Sequence, residues 1–177
     1  MAQLLNDRHS INVHLNITKR HIRLARHAKG AEELLLAIEP VLAELIDAKA
    51  IDEEAIEEIE YRRDLVAYEA IDLDDKVRDL SAACKKYDRD NPGLGITPLI
   101  FLNGTTPIIF SPNLEKPMLV EFLIKCIQNL GENHPLAAHI EPLQSAITKL
   151  QTTIDALQSS IDAKMMPTPF YPSQKRI

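Results

Sequence analysis

Tryptophan is absent from this chain, and cysteine and glycine are scarce: 177 residues contain 2 Cys and 5 Gly. Five glycines are too few for a β-sandwich with many tight turns or for a Gly-rich phosphate loop. Neither G-x-G-x-x-G nor G-x-x-x-x-G-K-[ST] occurs, and neither does G-x-S-x-G. Cys84 and Cys126 form no C-x-x-C pair, so neither a disulfide framework nor a zinc knuckle is expected. Both read as small apolar residues on helix faces. No stretch approaches ~20 uninterrupted apolar residues, and the opening residues Met1 to Asp7 hold no apolar run of signal-peptide length. A protein outside the membrane, in the cytoplasm, is the expectation.

Apolar residues make up 45% and charged residues 26%, ordinary globular values that exclude a disordered or collagen-like chain. At 19.9 kDa the length suits one domain, or one domain with an arm. The net charge of −6 is unevenly spread. Residues 1–30 carry six bases against Asp7 alone, whereas residues 52–79 carry twelve acids against four bases. The basic segment therefore serves an anionic partner, packs on the chain's own acidic helix, or is simply solvated.

Along the chain, Ile11, Val13, Leu15 and Ile17 alternate with Asn12, His14 and Asn16, the period of a half-buried strand. Thr18 reads as the N-cap of a short basic helix that Gly30 stops. Residues 31–49 read as an amphipathic helix. Leu34, Leu35, Ile38, Val41, Leu42, Leu45 and Ile46 form its buried face, and Pro40 breaks or kinks it near Leu36 to Glu39. A second helix, capped by Asp52, runs to about Asp88, roughly 55 Å at 1.5 Å per residue. Ile59, Val66, Leu73, Leu80 and Tyr87 recur in it every seven residues, with Ile56, Arg63, Ala70, Val77 and Cys84 as companions, giving a heptad seam interrupted by Arg63.

Leu99–Leu102 and Thr105–Phe110 flank Asn103-Gly104, the dipeptide a type I′ hairpin turn prefers. The expectation is a hairpin within 98–110, to which the strand at 11–17 can add. A helix from Lys116 or Pro117 to Leu130 follows, ended by Gly131, with Met118, Leu119, Phe122, Leu123, Cys126, Ile127 and Leu130 as a core stripe.

The sharpest pattern comes last. Ile140, Leu143, Ile147, Leu150, Ile154, Leu157 and Ile161 are spaced 3, 4, 3, 4, 3, 4, and 143–163 reads as three heptads, LQSAITK, LQTTIDA and LQSSIDA. A strict 3.5-residue period imposes a left-handed supercoil. Positions e (Gln144, Gln151, Gln158) and g (Ala146, Thr153, Ser160) are uncharged, so no charge code selects a parallel partner, and small g residues admit close neighbours. The seam pairs with helix 52–88 of the same chain, with its own copy, or with another protein's helix. The tail 166–177, rich in Pro, reads as extended or mobile.

Chemistry finds little support. None of the six histidines pairs with another at i, i+3 or i+4. Glu132, His134, His139 and Glu141 gather at a helix start, where solvated surface groups are the simpler reading than a metal site. Ser81, Cys84 and Tyr87 share a helix face without a local base to activate them.

The sequence thus predicts a mainly α protein: an elongated helical bundle with two long coiled-coil-like helices and a small β-hairpin, possible company for an N-terminal strand. It divides into a basic arm (1–30), the bundle (31–165) and the tail (166–177). The function expected is non-catalytic assembly or scaffolding as a homo-oligomer, a dimer favoured, with no cofactor and no metal. One alternative is a dimeric DNA-binding regulator using Arg20, Arg23, Arg26 and Lys29 on phosphates. The other is a small-molecule or metal-binding bundle.

Overall fold

Ser10 opens the first helix, α1 (Ile11–His27), its carbonyl accepting from the Val13 and His14 N–H groups at 2.9 and 3.2 Å. The computed structural model describes residues 10–165, so the expected mobile tail 166–177 lies outside the described residues. The strand expected at 11–17 is helix instead. Its apolar residues satisfy two periods at once, and the longer one wins. Leu15, Thr18, Ile22 and Ala25, spaced 3, 4, 3, form one buried row, while Val13 turns outward. Thr18 is consequently an interior residue and not a cap. Arg26 and His27 close the helix, where the dipole favours positive charge.

After Gly30 (φ +78°) the chain enters α2 (Glu32–Asp90), a single helix of 59 residues. Two expectations are corrected here. Pro40 neither ends nor divides the helix, and Asp52 lies inside it instead of capping a new one. A proline removes one donor, but no Gly or Pro occurs between it and Asn91, and the many Ala and Glu residues carry the helix on.

The chain divides into two compact units, Met1–Glu58 and Ile59–Ile177, the division falling inside α2. In the first, the turn after α1 leads into the start of α2, and Arg26 reaches Glu39 at 3.2 Å.

In the second unit, α2 ends at Asn91, and the hairpin expected within 98–110 is replaced by two helical turns, α3 (Ile96–Ile100) and α4 (Thr106–Ile109). There is no strand among the described residues. A type I′ turn needs positive φ at both central residues. Gly104 supplies it (φ +75°), but Asn103 does not. Gly104 instead closes a turn on the Phe101 carbonyl at 3.1 Å. Helical turns also solve a burial problem that a lone apolar hairpin leaves open. They put Ile96, Ile100, Phe101 and Ile108 into the core and leave Leu99, Leu102 and Phe110 outside. Pro107, unable to donate to a ladder, sits in the first turn of α4, where its missing N–H has no helical partner to lose.

Then follow α5 (Lys116–Gln128), a 3-10 turn (Pro135–His139) and α6 (Ile140–Met165). One continuous core joins Val66, Ala70, Leu73, Val77, Leu80 and Cys84 of α2 to Val120, Leu123, Ile124 and Ile127 of α5 and to the apolar row of α6. The second unit is therefore a helical bundle closed by short turns.

Candidate interaction surfaces

The heptad residues of α6 are used within the chain. Leu143, Ile147, Leu150 and Ile154 are buried in the core, and Ile140, Leu157 and Ile161 are half-buried. Ala146, a small g residue, is buried beside them. The e residues face outward, and the repeat shows there as well: Gln151 donates to Asp155 and Gln158 to Asp162, both at 2.8 Å. In α2, Ile59, Val66, Leu73 and Leu80 are buried and Tyr87 is half-buried, with Ala70, Val77 and Cys84 buried beside them. Ile56 and Arg63 are exposed.

Asp74 of α2 and Lys116 of α5 form a buried ion pair at 2.6 Å, their side chains 11% and 5% exposed. The other Asp74 oxygen, Oδ1, is buried without a hydrogen-bond partner. Nothing in the hydrophobic pattern marks this pair. The only sequence signal is an Asp one position after the seam residue Leu73.

Asp88, near the end of α2, accepts the N–H groups of Ile96 and Thr97 at 2.6 and 2.8 Å and so caps α3. Thr97 and then the Ile96 N–H hold this carboxyl below its ordinary range. The Asp88 charge in turn acts on Cys84. Burial, and secondarily that charge, push the Cys84 thiol up to about 11, which leaves it protonated and inert at neutral pH. His134, one of the four residues of the suggested metal cluster, is otherwise engaged: Nδ1 accepts from the Leu136 N–H at 3.3 Å, and its ring lies 4.6 Å from that of Tyr87. Among the described residues no group of three or more His, Cys, Asp or Glu side chains is placed to hold a metal. No described helix is long and apolar enough to cross a membrane.

Two apolar surfaces stand out as uncovered among the described residues. The first lies on the second unit. The stripe expected to bury Met118 and Phe122 with the rest of α5 is too wide for one core: Val120, Leu123, Ile124 and Ile127 face inward, while Met118 and Phe122 are exposed. Phe110 and Leu114 precede them at the same four-residue spacing, Phe110 being 83% exposed. That spacing, 110, 114, 118, 122, was present in the sequence. The surplus of apolar positions on α5 is the signal that one face is not core.

The second lies on the first unit. The broad face expected to be buried on residues 34–46 is not buried in this chain. Leu35, Ile38, Leu42 and Leu45 are half-buried, and Leu34, Val41 and Ile46 are exposed. His21, Leu24, Ala25 and Ala28 with Leu34 and Ile38 line an apolar groove of about 410 Å³. Arg20, Arg23, Arg26 and Lys29 are all exposed, with Arg26 engaged by Glu39. Asn103 and Gly104 are exposed and form no strand pairing. Compared with known proteins, the chain matches no protein-family model, no curated protein and no solved structure.

Proposed function

We propose that this is a non-catalytic assembly protein of the cytoplasm, working as a homo-oligomer, a dimer favoured, that presents apolar helix faces to other protein surfaces. The observation that carries the reading is α5. It has one apolar face in the core, while Met118 and Phe122, one turn apart, stand exposed, and Phe110 and Leu114 in the preceding turn are exposed as well. Leaving large apolar side chains such as Met118 and Phe122 exposed is unfavourable by about 1.5–3 kcal/mol each relative to burial. Several exposed together mark a contact surface. The chemistry weighs the same way: the one buried thiol is held protonated. Strand pairing has no place in this reading, since the segment 98–110 is helical turns.

A photo-crosslinking phenylalanine analogue at position 122 tests it, with light scattering on the same sample. The expected result is a discrete protein adduct that Met118→Ser abolishes while helix content by circular dichroism is unchanged. A particle that stays at 19.9 kDa and gives no adduct overturns the reading. The DNA-binding alternative is favoured by one observation, that α1 carries bases and no acid. It requires a duplex mobility shift that falls steeply with salt.

A further inference from the structure

We propose that the first unit is half of a four-helix bundle, completed by the same unit of a second copy, with α1 of each copy lying against the α2 segment of the other. This rests on the assembly reading above and adds the partner and the surface.

The first observation is a missing layer. Helices bury their apolar stripes against another layer of structure, and two helices alone leave half of that stripe bare. Among the described residues of this unit, the buried ones belong to α1, and not one residue of α2 between 32 and 58 is buried. That segment is nonetheless rich in large apolar residues. Leu34 and Ile38 line the groove, and Val41 and Leu45 follow each of them by seven residues, on the same side of the helix. From α1 the same side receives His14, Ile17, His21 and Leu24, spaced 3, 4, 3. The first three are half-buried and Leu24 is exposed.

The groove fits protein side chains better than a small molecule. Its volume lies within the range of ligand sites, but such sites orient a ligand through several convergent polar groups. Among the described residues, His21 is the one polar residue lining this groove.

The second observation is charge, and it selects the occupant. α1 carries Lys19, Arg20, Arg23 and Arg26 and no acid. Residues 32–58 carry ten acids and a single base, Lys49. In a two-fold pair, setting α1 against α1 brings bases to bases, and α2 against α2 brings acids to acids. Only α1 against the other copy's α2 is complementary, and a two-fold axis makes that contact twice. Arg26 with Glu39 is the same match made within one chain. Arg20, Glu33 and Glu44 are all exposed on these two helices, free to make the cross-copy match.

Area is sufficient. A face about 27 Å long and about 20 Å across two helices buries roughly 1,100 Å² in a pair, near the lower end for a specific dimer. A concentration-dependent dimer is therefore expected in place of a permanent one.

The test is sedimentation equilibrium of the full chain over a wide concentration range. The parent is expected to rise from 19.9 kDa towards twice that mass. Leu34→Glu with Val41→Glu weakens the dimer at least ten-fold. Because that variant also alters the first unit itself, a charge pair is run beside it. Arg20→Glu with Arg23→Glu, and separately Glu33→Lys with Glu44→Lys, each weaken self-association, and mixing the two restores a mixed dimer. Charge variants that dimerise as well as the parent, or a mixture that does not restore the dimer, overturn the proposal. If the dimer survives Leu34→Glu/Val41→Glu but dissolves on Met118→Ser/Phe122→Ser, this proposal fails and the assembly reading stands. A chain that remains monomeric and retards duplex DNA through Arg20 and Arg23 assigns the basic face to nucleic acid and overturns it too.

Discussion

A carboxylate and an ammonium that leave water together depend on each other afterwards, and Asp74 with Lys116 is such a pair. Their mutual attraction offsets desolvation only while both are present, so losing one partner is worse than losing both. Lys116→Met is expected to cost about 3–5 kcal/mol in a urea titration. Asp74→Leu in addition is expected to recover most of it, and a double variant as unstable as the single one would show that the pair is not the cause. Asp88 works at the surface by a different route. Its folded carboxyl lies lower than its ordinary value near 3.8, held there by Thr97 and then Ile96. A depressed carboxyl stabilises the fold above its unfolded pKa, and this is lost as pH falls through the folded one. Asp88→Asn should therefore lower the Tm at neutral pH, with the gap to the parent closing below about pH 3.8. A gap that persists in acid would mean that the charge is irrelevant to the cap.

Helix α2 poses the question of why an interior proline is tolerated. Pro40 is exposed, and the helix runs unbroken through it. Replacing it with alanine restores a donor and is expected to stabilise by up to about 3 kcal/mol, read as a raised Tm. A lowered Tm would mean that the proline's fixed φ matters more than the lost bond. The elements differ in how legible they were. The helices over 116–130 and from 140 onward could be read directly, because their apolar residues fit one period only and Pro117 and Gly131 mark one helix's ends. Segment 11–17 could not, since Ile11, Leu15 and the residues after them fit a strand's alternation and a helix's stripe equally until the stripe continues through Thr18, Ile22 and Ala25. Asn103-Gly104 misled because its glycine closes a helical turn as readily as it opens a hairpin. The α5 surface was half legible: the apolar positions were evident, but a one-dimensional pattern does not say which of two adjacent faces the core claims.

Across the whole molecule, burial is unequal. From Val66 to Cys84 α2 contributes six fully apolar core residues, whereas from residue 32 to 58 it contributes none. Local opening costs least where few apolar contacts close behind it. Amide exchange in dilute solution is thus expected to be faster over 32–58 than over 66–84, and to slow over 32–58 as concentration rises. Uniform protection along α2 would remove the basis for pairing copies through the first unit. The near-identical segments 150–156 and 157–163 carry a different consequence. Each repeats the same inward Leu and Ile and the same outward Gln–Asp bond. A duplicated or deleted segment of seven would shift every later residue by about 10.5 Å along the axis without rotating it into the wrong environment. The rod can therefore change length in whole steps, and genetic slippage at this spot would yield longer and shorter siblings that still sort their side chains correctly.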